Sequence, residues 1–199
     1  MVRVLVACEY SGIVRDAFAK QGHYAVSCDL LESERPKGIH IKGDVLDVIN
    51  QGWDLIIAHP PCTHLAVSGA RYFAAKKANG LQEESLAFVR KLMDAACPRI
   101  CVENPISIIS SRIRRPDQII HPYQFGHDAS KATCLWLKGL PLLIGTSYVD
   151  PRNVDGKKRW ANQTDSGQNK IGPSENRWKE RSRTYEGIAL AMSEQWSNN

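Results

Sequence analysis

Short apolar runs alternate with amphipathic stretches along the first hundred residues of the chain. The apolar runs are too short for helices and rich in β-branched residues, so they predict buried strands at 2–8, 24–28, 39–41, 53–58 and 99–102. Between them, residues 13–18 and 81–96 place apolar side chains at helical spacing and predict helices. Strands that alternate with helices are typical of a doubly wound, mostly parallel α/β sheet, in which ligands bind beyond the C-terminal ends of the strands.

The second half of the chain follows a different pattern. Residues 119–120, 123–125 and 134–137 predict an antiparallel addition to the sheet. Residues 145–183, here called the basic segment, lack apolar runs and predict a long loop. Apolar positions at helical spacing return over 184–197 and predict a terminal helix that packs on the core. We therefore expect one domain over residues 1–199.

The same pattern argues against membrane and secreted proteins. No apolar run approaches the ~20 residues of a membrane span, and the N-terminus lacks the pattern of a signal peptide. Six scattered cysteines without paired spacing favour a reducing compartment. We expect a cytoplasmic protein of a bacterium or a phage-infected cell. No metal site is expected, because His59, Cys62 and His64 lack a fourth ligand at standard spacing.

Positive charge is concentrated in the basic segment. The chain carries a net charge of +5, and the eight basic and three acidic residues between Lys157 and Arg183 account for the whole excess. Such a cluster predicts a polyanionic partner, while a solvated surface loop is the alternative. Trp160 and Trp178 are available to stack on bases, or pack on the body. The candidate nucleic-acid-binding residues are Lys157, Lys158, Arg159, Arg177, Lys179, Arg181 and Arg183.

Residues with chemical potential follow two predicted strands. Cys62 comes directly after Pro60-Pro61, so its thiol is held on a rigid turn at the ligand edge, where a nucleophile would stand. Activation requires a lowered thiol pKa, and a packed cysteine at a turn is the alternative. Glu103 ends the next strand and would be a general acid with a pKa raised by burial. Alternatively, Asn104 and Pro105 begin a helix as its N-cap and first residue.

Taken in order, these residues resemble the cytosine-C5 DNA methyltransferase family over roughly residues 2–139. The specific part is the Pro-Pro-Cys motif at 60–62 with Ser68-Gly69, followed by Glu-Asn at 103–104. The resemblance implies S-adenosylmethionine as cofactor and a Rossmann-like methyltransferase fold. It further implies that the thiol adds to cytosine C6 while the glutamate protonates or hydrogen-bonds N3. The implied catalytic residues are Cys62, Glu103, Asn104 and Lys131, and the implied cofactor-binding residues are Glu9, Tyr10, Ser11, Gly12, Asp29, Asp44 and Pro60.

The sequence departs from the family pattern at several positions. The first turn has a single glycine, Gly12, and His59 replaces a small residue. Two arginines of a family strand correspond to Lys131 and Thr133, and the basic segment stands where the family has a target-recognition domain. DNA is therefore the expected partner, with little sequence readout. Two alternatives remain open: the same chemistry on a free pyrimidine nucleotide or non-duplex nucleic acid, and a non-catalytic nucleic-acid-binding or regulatory protein.

Overall fold

A seven-stranded sheet forms the centre of the molecule. The computed structural model describes residues 1–172, 174–175 and 177–197. The strands of the sheet are β1 (Arg3–Ala7), β2 (Tyr24–Asp29), β3 (Ile39–Lys42), β4 (Leu55–Ala58), β5 (Ile100–Pro105), β6 (Gln118–Ile120) and β7 (Thr133–Lys138). The helices are α1 (Ile13–Lys20), α2 (Phe73–Ala78), α3 (Leu81–Met93), α4 (Ile109–Arg112), α5 (Arg177–Ser182) and α6 (Glu186–Trp196).

The strand order positions the functional edge. The sheet runs β3-β2-β1-β4-β5-β7-β6, with β1 to β5 mutually parallel, β7 antiparallel to β5, and β6 antiparallel to β7. The order therefore reverses between β1 and β4, and the crevice beyond the C-terminal ends at such a switch point is the usual ligand site of a doubly wound sheet. The predicted mostly parallel α/β fold is confirmed.

Each face of the sheet is covered by a separate apolar layer. On one face, α3 packs Leu86, Val89 and Leu92 against the strands. On the other face, α1 and α6 pack together, and α6 contributes its buried side chains Ile188, Ala189, Ala191, Met192 and Trp196. No helix in the described residues is both long and apolar enough to cross a membrane.

Two local predictions differ from the structure. Residues 123–125 lie mostly in the 3-10 helix Pro122–Gln124 rather than in a strand. Glu103 and Asn104 do not cap a helix, because β5 continues through them and pairs with β7 as far as Pro105 opposite Thr133.

The basic segment is more ordered than the predicted loop. It contains a two-stranded hairpin, β8 (Arg152–Val154) and β9 (Lys157–Arg159), and the helix α5. The hairpin turn is Asp155-Gly156, and both residues have positive φ, at 50° and 76°. An Asp-Gly pair with both φ values positive is the typical two-residue hairpin turn, which explains the hairpin in a segment without apolar runs.

Candidate active site

The turn that carries Cys62 is fixed by its neighbour in the sheet. The amide nitrogens of Leu65 and Ala66 donate to the Cys62 carbonyl oxygen at 3.0 and 2.9 Å, which closes a tight turn after the cysteine. From β5, the side-chain amide of Asn104 donates to the Pro60 carbonyl oxygen at 2.8 Å. Asn104 is 1 % exposed, so this bond is shielded from water. Asn104 thus holds Pro60 at the start of the turn that carries Cys62, and Cys62 itself is exposed.

Glu103 forms a buried pair with His59. Nδ1 of His59 lies 2.8 Å from Oε2 of Glu103, and the two side chains are 9 % and 13 % exposed. Burial opposes ionisation of Glu103, but the hydrogen bond from His59 and the charge of Lys131 outweigh it, so the pKa of Glu103 lies below its ordinary value. The predicted raised pKa is therefore wrong. In the free protein Glu103 is a carboxylate held in place by an imidazole. We call residues 59–62, 103 and 104 the cysteine edge.

The free chain does not activate Cys62. Partial burial of the sulfur and the negative charge of Glu103 raise the pKa of the Cys62 thiol, and these effects outweigh the positive charges of Lys131 and Arg181. The expectation of a lowered thiol pKa is not met. Nζ of Lys131 donates to the Arg181 carbonyl oxygen at 2.9 Å, which ties this cation to α5. Lys131 is therefore the charged group from the β7 side that acts on both Cys62 and Glu103.

In the first turn, Glu9 caps helix α1. The buried Glu9 carboxylate accepts hydrogen bonds from the backbone of Val14 at 2.7 Å and Arg15 at 3.2 Å, and from the Ser11 hydroxyl at 3.1 Å. The positive end of a helix binds phosphate in dinucleotide folds, and here a carboxylate occupies that place. Gly12 has a φ of 71°, and a Cβ there would lie 2.5 Å from the Arg15 guanidinium. The first turn therefore suits a ligand without phosphate.

Two acids and a cysteine flank the first turn. Asp29, at the end of β2, accepts a hydrogen bond from the backbone of Leu31 at 2.9 Å, and Asp44, after β3, accepts one from Leu46 at 2.9 Å. Burial and the charges of both acids raise the pKa of the Cys8 thiol, which places all three in one electrostatic neighbourhood. Cys8 has a φ of 58°, an uncommon backbone conformation for a non-glycine residue that is found at ligand sites. The predicted strand 2–8 includes Cys8, whereas β1 ends at Ala7, so Cys8 lies directly after the strand.

A crevice connects the first turn with the cysteine edge. It is lined by Cys8, Glu9, Tyr10, Ser11, His59, Ser182 and Thr184. The Tyr10 hydroxyl bonds the Lys179 carbonyl oxygen at 2.9 Å and the Ser182 hydroxyl at 2.8 Å, so the C-terminal end of α5 closes one side. Among the described residues, Nε2 of His59 and Oδ1 of Asn104 are buried without a hydrogen-bond partner. Buried polar atoms normally have partners, and His59 lines this crevice, so its Nε2 indicates a polar ligand there.

The charges around the crevice are compatible with S-adenosylmethionine, the cofactor that the family resemblance implies. That cofactor has no phosphate and carries a net positive charge, which matches a first turn already capped by Glu9 and a neighbourhood containing Asp29 and Asp44. Tyr10, Ser11 and Gly12 are buried beside it. In the described part of the chain, no group of three or more His, Cys, Asp or Glu side chains is arranged to hold a metal ion.

The predicted nucleic-acid-binding residues fall into two groups. Lys157 and Lys158 are exposed on β9, while Nε of Arg159 donates to the Asp165 carbonyl oxygen at 2.9 Å. Arg177, Lys179 and Arg181 lie in α5.

Arg183 follows α5 and forms an ion pair with Glu34. Its guanidinium donates to both Glu34 carboxylate oxygens, at 2.9 and 2.7 Å. The tryptophans also differ: Trp160 stacks on Tyr123 with ring centroids 4.4 Å apart, and Trp178 is 53 % exposed. Lys157, Lys158 and Trp178 are thus accessible to a ligand, whereas Arg183 and Trp160 contact the protein.

Comparisons with known proteins identify the fold. No protein-family model matches the chain, and no curated protein matches it. The solved structures it resembles include a protein described as a DNA modification methyltransferase encoded within an Escherichia coli prophage, with a TM-score of 0.52, 17 % identity and coverage of 78 % of this chain and 54 % of that one. Another is the Entamoeba histolytica methyltransferase EhMeth, with a TM-score of 0.51, 17 % identity and coverage of 75 % and 58 %. The chain spans just over half the length of these structures, and the likeness shows a shared methyltransferase fold.

Proposed function

We propose that the chain is an S-adenosylmethionine-dependent methyltransferase that methylates cytosine C5 in DNA through a covalent adduct of Cys62. One observation carries the proposal: Cys62 follows β4, Glu103 lies in the adjacent parallel strand β5, and Lys131 acts on both. His59, which bonds Glu103 and precedes the Pro60-Pro61-Cys62 turn, lines an acidic crevice at the switch point of the sheet. The similarity in fold to two methyltransferases, one of them described as a DNA modification enzyme, supports it.

The residues of the crevice have complementary tasks in holding the cofactor. When bound, S-adenosylmethionine supplies an electrophilic methyl group on a positively charged sulfur. Tyr10 and Ser11 line the side next to α1. Asp29 ends β2 and Asp44 lies shortly after β3, and each carboxylate has one oxygen engaged by backbone. Their remaining oxygens suit the hydroxyl and amino groups of a nucleoside. Glu9 orders the turn by capping α1.

Cys62 is the nucleophile of the proposed reaction. Its sulfur forms a bond to C6 of cytosine, and the electron pair of the C5–C6 double bond would then form the bond from C5 to the methyl group as the bond between that group and the donor sulfur breaks, leaving S-adenosylhomocysteine. Loss of the C5 proton to solvent, with cleavage of the S–C6 bond, then restores the double bond and frees the cysteine. The pKa of the Cys62 thiol is raised in the free chain although Lys131 and Arg181 already lower it, so formation of the thiolate requires the added positive charge of the bound cofactor.

Glu103 stabilises the same adduct from the opposite side of the base. Addition at C6 shifts electron density toward N3, and a carboxyl group at N3 stabilises that charge by donating a proton. Glu103 is ionised in the free chain, so this proton is taken up when the base binds. His59 holds Oε2 and thereby orients the carboxyl group.

Charge and access support DNA as the substrate. Lys157 and Lys158 on β9 are exposed cations in the segment that carries the net charge of the chain, and they suit phosphate contacts. A cytosine in duplex DNA must be flipped out of the stack before Cys62 reaches C6.

Transfer of a labelled methyl group from S-adenosylmethionine to DNA tests the proposal. We expect activity in the wild type and none in Cys62→Ser, and we expect an oligonucleotide with 5-fluorocytosine to trap the wild type covalently, since fluorine blocks the final elimination. Cys97→Ser is the matched control, because its thiol only donates to the carbonyl oxygens of Trp53 and Arg99, which a hydroxyl can also do. Equal activity of wild type and Cys62→Ser would contradict the proposal.

A further inference from the structure

His59 lies between the cysteine edge and the crevice. It directly follows β4 and immediately precedes the Pro60-Pro61-Cys62 turn. Its backbone nitrogen donates to the Ala7 carbonyl oxygen of β1 at 2.9 Å. Its ring reaches Glu103 on one side and lines the crevice on the other. The side chain is 9 % exposed, so both ring nitrogens lie where water cannot easily satisfy them.

The bond to Glu103 fixes the tautomer of the ring. A carboxylate only accepts hydrogen bonds, so the hydrogen between the two groups is carried by Nδ1 of His59. In the neutral imidazole this leaves Nε2 as an acceptor. Among the described residues, no group donates to Nε2, although it is fully shielded from solvent. Nε2 is therefore an unfilled acceptor on a residue that lines the crevice.

The charges around the crevice indicate which kind of donor would bond to Nε2 of His59. Glu9, a buried carboxylate, lines the same crevice, and the charges of Asp29 and Asp44 reach Cys8 on its wall. Acidic surroundings favour a cationic donor over a neutral one. S-adenosylmethionine carries such a donor in the α-ammonium group of its amino-acid part.

We propose that His59 joins cofactor binding to the positioning of Glu103: Nδ1 donates to the Glu103 carboxylate while Nε2 accepts a hydrogen bond from the α-ammonium group of S-adenosylmethionine. The inference rests on the proposed function and extends it to a residue that departs from the family pattern. The bound ammonium group keeps Nε2 an acceptor and so keeps the hydrogen on Nδ1, where it holds Glu103. Cofactor binding thereby stabilises the arrangement that receives the base.

Two near-isosteric variants separate the two contacts. In His59→Asn the side-chain amide takes the place of Nδ1 and can still donate to Glu103, but it does not reach the crevice. In His59→Gln the amide takes the place of Nε2 and can still accept from the ligand, but it leaves Glu103 without its donor. His23→Asn is the matched control: His23 accepts from the Val2 backbone at 3.3 Å at the opposite end of the sheet, and an asparagine oxygen can do the same.

Titration calorimetry with S-adenosylhomocysteine measures the crevice contact without turnover. We expect His59→Asn to weaken binding about tenfold or more, as loss of a hydrogen bond to a charged group does, and His59→Gln and His23→Asn to stay within about threefold of the wild type. The ligand 5′-methylthioadenosine lacks the amino-acid part. All four proteins should therefore bind it about equally.

Methyl-transfer rates at saturating cofactor report the contact between His59 and Glu103. There we expect the reverse order, with His59→Gln slower than His59→Asn, because only the asparagine still holds Glu103. If His59→Asn and the wild type bind S-adenosylhomocysteine with equal affinity, the inference about His59 is wrong while the proposed function stands. The same holds if His59→Asn loses as much affinity for 5′-methylthioadenosine as for S-adenosylhomocysteine. Failure of the wild type to bind S-adenosylhomocysteine would overturn the proposed function together with it.

Discussion

The cysteine edge and the basic segment are stabilised by different kinds of contacts. At the edge, His59 and Pro60 bond to Glu103 and Asn104, which are distant in sequence and lie on the neighbouring strand, and these bonds are largely shielded from water. In the basic segment most bonds join nearby residues at the surface, such as Arg152 with Asp165 at 2.5 Å. Shielded charges interact strongly and surface charges are screened by solvent and salt. Single substitutions should therefore have large effects at the edge and small, salt-dependent effects in the basic segment.

The largest effect is expected from Glu103→Gln. The amide cannot deliver a proton to N3, so methyl transfer should fall by about 10²- to 10⁴-fold. The same change removes a negative charge that raises the pKa of Cys62, so alkylation of Cys62 by iodoacetamide should become faster at pH 8. Opposite changes in the two rates would distinguish a lost acid from a misfolded site. Glu194→Gln, on the exposed side of α6, is the control. Slower alkylation in Glu103→Gln would contradict the assigned electrostatics.

Asn104→Ala tests the shielded hydrogen bond at the edge. Without the amide, the Pro60 carbonyl oxygen loses its donor in a buried position, which should lower the free energy of unfolding by about 1–3 kcal/mol. Urea unfolding measures this directly. Asn153→Ala is the matched change in the basic segment, where the side chain accepts from the exposed Gly156 backbone at 2.9 Å, and its effect should stay below about 0.5 kcal/mol. Equal losses in the two variants would remove the proposed difference between the regions.

Sequence patterns located the parts of the edge but not their interactions. The strands were predictable because each is a local apolar run, and parallel strand ends meet at one edge, so Cys62 and Glu103 could be paired from sequence. The lowered pKa of Glu103 and the raised pKa of Cys62 could not, because they depend on how His59, Lys131 and burial combine in three dimensions.

The cap formed by Glu9 and the hairpin β8–β9 differ in how far sequence patterns could predict them. Glu9 was assigned to cofactor binding, and only the path of α1 shows its carboxylate capping the helix. The hairpin β8–β9, by contrast, has a local signal in Asp155-Gly156 that sequence reading could have used. Local chemistry therefore predicted the elements, while contacts between distant residues determined the state of the site.

Lys131→Met tests a cation whose charge acts on both Cys62 and Glu103. Its removal should raise the pKa of the Cys62 thiol further, so less thiolate is present at any given pH. We expect alkylation of Cys62 at pH 8 to slow by about tenfold, equivalent to about 1.4 kcal/mol, and the rise of the rate with pH to move to higher pH. Mass spectrometry of the Cys62 peptide follows the reaction. Lys20→Met, at the exposed end of α1, should leave the profile unchanged. An unchanged profile in Lys131→Met would contradict the assignment.

The smallest effect is expected from the paired change Lys157→Ala with Lys158→Ala. Both lysines are exposed, and among the described residues no group forms a side-chain hydrogen bond or ion pair with either, so their expected contribution is to phosphate contacts. DNA affinity at low salt should fall several-fold, and the slope of log affinity against log salt should flatten by about 1.8, as loss of two phosphate contacts predicts. Fluorescence anisotropy between low and moderate salt measures both. Lys20→Ala with Lys91→Ala removes the same charge from α1 and α3 and should leave the slope unchanged. A slope near zero in the wild type would favour a free nucleotide as substrate, and an unchanged slope in the paired variant would show that the basic segment does not contact DNA.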